Sequence, residues 1–377
     1  MNLLDELLPL LLSGFLASFA VCVLLVATKR WHGAVTLDNH EGVQKFHTAP
    51  TPRVGGIALM AGLFAACSQI PGSSELLAPM IIAGVPAFLF GLAEDLTKRV
   101  GVRERLLATM TSGVLAWWLT GYSMTRVDVW GADILLSSWL PLSVAFTAFA
   151  VAGVANAINI IDGFNGLASG TALICLAALG LIAWEAGDPL LAKLCLVLGA
   201  VILGFWLANF PLGKIFLGDG GAYLTGFLIA WVAVMLPMRN PEVSVWAALL
   251  ACAYPVLEVG FSMARRFARS QHPGHPDRLH LHSLVKSRVI KKLLLRWKPV
   301  LRNSAVSPLL WLYALLPALL AVFFYDNTPA LIASFVASAI LYQLLYRRLV
   351  HFRWKLISHV PIGAAAAANK AAVTRQG

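Results

Sequence analysis

The sequence predicts an all-α integral membrane protein of about eleven transmembrane helices, with its N-terminus outside and its C-terminus cytoplasmic. Three observations predict it. Of 377 residues, 59% are hydrophobic and only 12% charged, against about 25% charged in a soluble domain. Mean hydropathy is +0.77. Apolar stretches long enough to cross a hydrocarbon layer, roughly 20 residues each, recur through most of the chain. Together these exclude a disordered chain, a coiled coil and a water-soluble enzyme of this size. The longest polar stretch, 265–307, leaves no room for a separate soluble domain. Residues 1–350 therefore read as a single polytopic membrane domain, and residues 351–377, which hold IGAAAAANKAAVTRQG, as a low-complexity cytoplasmic tail.

In chain order the spans are expected near 7–28, 54–70, 77–93, 106–121, 139–155, 167–185, 190–208, 223–238, 244–263, 306–324 and 329–350. The first starts with Asp5 and Glu6, and its positive charges, Lys29 and Arg30, follow the apolar run. A secretory signal has the reverse order, so this reads as an uncleaved helix with its start outside. Inner loops then follow the odd-numbered spans and collect 26 of the 29 Lys and Arg; the outer side keeps Arg126, Lys193 and Arg239. That bias is the positive-inside rule, and a wrong span count would scramble it. The net charge of +11 thus reports membrane topology and gives no reason to invoke nucleic acid. The five cysteines all sit in apolar stretches without a metal-ligand spacing, and read as packing residues.

The inner loops hold the unusual residues. In DNHEGVQKFHTAPTPRVGG (38–56), Pro50, Pro52, Gly55 and Gly56 bracket Arg53, and Lys45, His47 and Arg53 can hold anionic oxygens or simply serve topology. Next, Glu94 and Asp95 end an apolar helix and precede Lys98, Arg99, Arg103 and Arg105. Paired acids beside bases suit a metal, a proton or a phosphate relay, or merely a salt-bridged helix end. In NAINIIDGFNGLASG (156–170), Asn156, Asn159, Asp162 and Asn165 recur every three residues without a single Lys or Arg. On a helix that register makes a continuous polar stripe, able to read a nucleobase or ligate a hard cation.

Two more segments complete the inner face. Asp219 stands in FLGDGG, where glycines permit a tight turn that brings backbone N–H groups near a ligand. An isolated Asp there is a good oxygen ligand for Mg²⁺ carrying substrate phosphates, and no GxxxxGK[ST] loop competes for that role. In RRFARSQHPGHPDRLHLHSLVKSRVIKK, His280 and His282 follow Asp277 and Arg278; Arg and His in a basic loop fit capture of a diphosphate better than a zinc site. Glu258 is the ionisable residue expected well inside a span. It is either functional or an ion-pair partner of Arg265 and Arg266.

NAINIIDGFNG, FLGDGG and RLHLH, in that order and on one membrane face between Lys45 and His282, resemble the polyprenyl-phosphate N-acetylhexosamine-1-phosphate transferase family, glycosyltransferase family 4. The resemblance implies transfer of N-acetylhexosamine 1-phosphate from a UDP-sugar to polyprenyl phosphate, with release of UMP, at a bacterial inner membrane. It implies Mg²⁺, with Mn²⁺ as an alternative, and admits a homodimer as well as the nucleotide sugar and lipid as partners. Carried over by position, Asp219 and Asn159 would hold the metal. Asp162 and Asn165 would face the nucleotide, with Asn156 beside them. Asp95 and Glu94 would sit where the lipid phosphate enters, and Arg278, His280 and His282 would hold the donor diphosphate. Arg103 or Arg105, with Lys45 and Arg53, would supply further cationic contacts. Three departures stand out: Glu94-Asp95 for the usual Asp-Asp, Asn165 for the second Asp of DGxDG, and Ser283 after His282 for HxHH. The competing reading is a polytopic transporter of an anionic or lipid-linked substrate, which would place its polar groups at mid-membrane on broken helices.

Overall fold

Apolar residues on every side of long segments leave the backbone one way to satisfy its polar groups away from water, which is to form helices. The computed structural model describes residues 3–38, 50–68, 74–268 and 279–351. In chain order these form α1 (Leu3–Ala27), α2 (Lys29–Thr36), β1 (Leu37–Asp38), β2 (Thr51–Pro52), α3 (Gly55–Cys67), α4 (Ser74–Thr97), α5 (Val102–Thr120), α6 (Ala132–Ser138), α7 (Leu140–Ile161) and α8 (Leu167–Glu185). There follow α9 (Pro189–Asn209), α10 (Gly218–Arg239), α11 (Val245–Ala251), α12 (Ala253–Ala268), α13 (Leu281–Val285), a π-helical turn (Lys286–Ile290), α14 (Lys291–Leu293), α15 (Pro299–Ser304), α16 (Val306–Phe323) and α17 (Thr328–His351).

Each of the eleven expected spans is helical, but not all are equal. Among the described residues eight stretches are long and apolar enough to cross a membrane, namely α1, α4, α7, α8, α9, α10, the α15–α16 run and α17. A ninth candidate is the pair α11–α12, bent by 81° where Cys252 interrupts it. The other two expected spans fall short for visible reasons. Helix α3 has only 13 residues, and α5 opens with Arg103, Glu104 and Arg105 in its first turn.

Helix α10 is the axis of the bundle. Nearly its whole length is buried, from Gly218 to Pro237, and it packs against α3, α4, α5, α7, α8, α9 and α11. In lipid, helices associate through close packing of small residues, and that is what surrounds α10. A Cβ on Gly56 would stand 2.5 Å from the Gly221 nitrogen, and one on Gly91 would stand 2.6 Å from the Asp219 carbonyl. The backbones of α3 and α4 therefore touch the first turn of α10 directly.

The far end of α10 is held by charge. Arg239 Nε and Nη2 donate to the two carboxylate oxygens of Asp188 at 2.5 and 3.0 Å, and Nη1 donates to the Tyr122 hydroxyl at 3.0 Å. Asp188 also accepts from the Leu191 N–H at 3.1 Å, capping α9. Burial alone would raise its carboxyl, but Arg239 and these donors hold it below its ordinary range. Arg126 donates to the carbonyls of Pro237 and Val243 at 2.9 and 2.8 Å. Two of the three cations assigned outside thus staple that pole of the bundle. All five cysteines are free thiols, four of them buried.

The glycine contacts set a demand on stability. Gly56→Ala drives a methyl into the α10 backbone, where no side chain can yield, and should cost about 1–3 kcal/mol. A thermal midpoint measured in detergent should fall, because the same contact holds α3, and Arg53 just ahead of it, against the head of α10.

Candidate active site

The opposite pole of α10 gathers the residues singled out on the inner loops. A short antiparallel ladder, Leu37 with Pro52 and Asp38 with Thr51, leads the chain toward it. The next residues are pinned from both sides: the Arg53 N–H donates to Thr36 at 2.9 Å, Phe216 donates to Pro52 at 2.8 Å, and Gly55 donates to Phe216 at 2.9 Å. This delivers Arg53 to the start of α10. Gly218 has φ +74° there, and a Cβ on it would meet Asp95 Oδ2 at 2.5 Å. Only glycine fits both the left-handed backbone and the space.

Asp95 closes the turn from α4. Its Oδ1 accepts from the Asp219 N–H at 2.8 Å and its Oδ2 from the Gly220 N–H at 2.9 Å. Arg53 Nε stands 3.2 Å from Oδ1. The first N–H groups of a helix lack intrahelical partners and carry the positive end of its dipole; here a carboxylate from a neighbouring helix satisfies two of them. Asp95 is 1% exposed. In the structure it is the N-terminal cap of α10.

That cap turns the Asp219 side chain toward a ring of donors. Its carboxylate pairs with Arg53 Nη2 and with Arg105 Nη1, and accepts from Asn159 Nδ2 at 3.2 Å. Three segments thus converge on one carboxylate. The Arg105 guanidinium also lies over the Tyr223 ring at 5.6 Å, and Tyr223 donates its hydroxyl to Asn156 Oδ1 at 3.2 Å. Tyr223 is a site residue that the sequence reading misses, although its place four residues after Asp219 on a helix is a readable signal.

The remaining expectations divide. Glu94 Oε2 accepts from the Val100 N–H at 2.9 Å and closes the α4–α5 loop. Arg103 is exposed on the first turn of α5, whereas Arg105 reaches the site. Lys45 and Arg278 lie outside the described residues. The polar stripe does not run as one helix. Helix α7 ends at Ile161, Asp162 takes ψ 38°, and Gly166 takes φ +76°. Asn165 consequently turns inward. It is 5% exposed, its Nδ2 donates to the Pro211 carbonyl at 3.2 Å and to Ser304 Oγ at 3.1 Å, and its own N–H donates to Asn303 at 3.1 Å. It braces the turn against α15. Asp162 stays partly open, and burial pushes its carboxyl well above the usual range, against the opposing Arg53 charge and with Asp95 adding to the rise.

The histidines complete the pole. His280 and His282 are 5% and 4% exposed, with parallel rings 5.1 Å apart. His282 meets Phe164 of the Asp162–Gly166 turn edge-on at 5.4 Å, and Lys286 Nζ sits 5.2 Å from the same ring. Phe164 and Lys286 likewise carry no signal in the sequence that sets them apart from packing and topology. Glu258 accepts from His280 Nδ1 at 3.0 Å.

The donor set admits a hard cation. Asp219 presents carboxylate oxygens beside the Asn159 side-chain amide, with Asp162 on the neighbouring turn, and no group of three His, Cys, Asp or Glu poised for a metal exists among the described residues. Mg²⁺ is commonly held by one or two carboxylates plus substrate phosphates and water, so this sparse oxygen set fits it; a closed zinc site would need more ligands.

Lys286 offers a pH test. Burial, reinforced by Lys291 and Arg302, pushes its ammonium down to about 7. Above that pH the unfolded chain holds a proton that the folded chain has released, so stability rises from about pH 7 toward about pH 10. The thermal midpoint in detergent should climb over this window in the native protein, and Lys286→Met should flatten the climb.

Comparison with known proteins agrees with this geometry. The sequence pattern described as "Glycosyl transferase family 4" matches residues 77–237, which span Asp95, Arg105, Asn159 and Asp219. The chain is 31% identical over 260 residues to the undecaprenyl-phosphate alpha-N-acetylglucosaminyl 1-phosphate transferase of Escherichia coli (strain K12), covering 67% of this chain and 69% of that protein. It is 29% identical over 288 residues to the decaprenyl-phosphate N-acetylglucosaminephosphotransferase of Mycolicibacterium smegmatis, covering 66% and 68%. The carboxylate, arginine and amide cluster at the head of α10 thus belongs to an enzyme, and the chain is a member of glycosyltransferase family 4.

Proposed function

We propose that this enzyme transfers N-acetylglucosamine 1-phosphate from its UDP-sugar to undecaprenyl phosphate, releasing UMP, as the first committed step of a cell-surface polysaccharide. The names of its relatives support the sugar and the lipid. The observation that carries the reading is the Asp219 carboxylate with Arg53, Arg105 and Asn159 converging on it. Both substrates are polyanions, and a phosphoryl transfer is catalysed chiefly by positioning and charge stabilisation.

In this reading Asp219 and Asn159 hold Mg²⁺, with Mn²⁺ as a substitute, and the cation neutralises the donor diphosphate when bound. The chain's own residues do the rest. Arg53 and Arg105 are already at the carboxylate and can move their donors onto phosphate oxygens as the diphosphate arrives. His280 and His282 take its other face. The lipid phosphate is itself the nucleophile, so the protein has only to align it with the β-phosphorus, and no covalent intermediate on a side chain is required. Asp95 keeps the first turn of α10, and with it Asp219, in register.

The same reading places this pole at the cytoplasmic face of a bacterial inner membrane, with all eleven apolar helices crossing. Its support is the distribution of charge, 26 of 29 Lys and Arg on one side. A reporter fused after His351 should read cytoplasmic and one fused at Asp188 external; the reverse pattern at either point would sink the topology.

The reaction is tested by UMP release in detergent from UDP-N-acetylglucosamine, undecaprenyl phosphate and Mg²⁺. Release should need all three, and Asp219→Asn should cut it on the order of 100-fold or more, the scale of removing a preorganised charge stabiliser. Asp95→Asn should lose both activity and thermal stability, since it replaces one acceptor with a donor facing an N–H. Glu94→Gln should cost little, because its amide oxygen can still accept from Val100. Full activity in Asp219→Asn would move the metal elsewhere.

A further inference from the structure

Glu258 has a position that the reaction scheme leaves unused. It lies on α12, beyond the bend at Cys252, and is 1% exposed. Its Oε1 accepts twice, from His280 Nδ1 and from the Leu281 N–H, both at 3.0 Å. These two contacts hold the carboxylate and the His280 ring against each other. The imidazole is then fixed in plane, with Nδ1 toward Glu258 and Nε2 pointing away from it. The His280 ring lies parallel to His282 within 8°, so one anchor orients two rings, and His282 in turn abuts Phe164 of the Asp162–Gly166 turn.

We propose that Glu258 is the positioning residue of the histidine pair: through His280 Nδ1 and Leu281 N–H it orients both imidazoles to meet the diphosphate of the nucleotide sugar. The proposal rests on the reading that these histidines receive that diphosphate. The groups around Glu258 are consistent with such a role. Tyr254 on its own helix, Tyr313 on α16 and Tyr342 on α17 pack their rings edge to face at 5.8 and 6.2 Å. Arg265 lies two turns further along α12, over Tyr346. Helix α7, which also packs on α12, ends at Ile161, just before Asp162, and Lys286 follows His282 by one turn. His280 is the group that donates to Glu258 through a side-chain nitrogen, so the carboxylate's reach into the site runs through it.

The test is a double-mutant cycle on the full chain in detergent, reading kcat and KM for UDP-N-acetylglucosamine. Removing an outer-shell partner of a functional histidine typically costs 10–100-fold, and Glu258→Gln should lose about that much in kcat/KM. The loss should fall on KM more than on kcat, because the histidines meet the bound diphosphate. In a His280→Ala background, Glu258→Gln should cost nothing further, because its effect passes through the ring that is gone. Losses that multiply, or a loss confined to kcat, would overturn the proposal. Should Glu258→Gln fail to elute as a single species, Glu258→Asp, which keeps the charge but withdraws it by one methylene, enters the same cycle with the same expectations. Calorimetric binding of UDP-N-acetylglucosamine without the lipid separates the two ideas. A native protein that neither binds this sugar nor releases UMP overturns the reaction and the proposal with it, whereas a native protein that does both and shows multiplying losses overturns Glu258 alone.

Discussion

The head of α10 depends on a carboxylate from another helix. Asp95 on α4 accepts from two free N–H groups of that head, at Asp219 and Gly220. Without it, a helix buried over nearly its whole length would end in unsatisfied donors, where each such group costs roughly 1–3 kcal/mol. The interaction also fixes rotation. With Asp95 on one side of the turn and Gly56 and Gly91 pressed against the backbone, the Asp219 side chain has one direction left to point, toward Arg53, Arg105 and Asn159. The structural cap and the placement of the functional carboxylate are therefore one interaction seen from two sides.

Much of this is legible in the sequence, for identifiable reasons. Apolar length locates the long helices, because in a membrane the hydrophobic stretch and the helix are nearly the same object. The glycines of FLGDGG signal a special backbone, and Gly218 indeed takes φ +74°. What they do is not legible: the turn presents its amides to a protein carboxylate, not to a ligand, and only the packing of α4 against α10 reveals that. The same holds for Arg103 and Arg105. Two residues apart on a helix, they face different directions, and the chain alone does not say which direction is inward.

The asparagine-rich segment shows where periodic reasoning stops. Spacing by three promises a continuous face only while the helix continues, and α7 stops at Ile161. Asn156 and Asn159 keep the face toward Tyr223 and Asp219. Past the turn, Asn165 is carried inward to brace Pro211 and Ser304. A segment that reads as four equivalent polar positions is thus two site residues, one carboxylate at a bend and one buried strut. A glutamine or aspartate at 165 would meet different neighbours than one at 159, so the Asn found there answers to packing as much as to chemistry.

The charge balance of the site explains why its residues come from so many segments. A buried carboxylate such as Asp219, 3% exposed, is costly unless neutralised, and here Arg53 and Arg105 neutralise it. The same two arginines are what an incoming polyanion needs. Under the proposed reaction the site need not create positive charge; it exchanges the partner of charge already stored, and Asp219, once the arginines leave it, would be the carboxylate to hold a cation. Such an exchange works only if the arginines are anchored by their backbones and not by the carboxylate alone. Arg53 is pinned through Thr36, Pro52 and Phe216, and Arg105 through its own N–H, which donates to the Gly101 carbonyl at 3.3 Å in the first turn of α5. The pole is thereby preorganised in backbone while its guanidinium groups remain free to change partners, which is the condition for binding two anionic substrates at a carboxylate without leaving it unpaired.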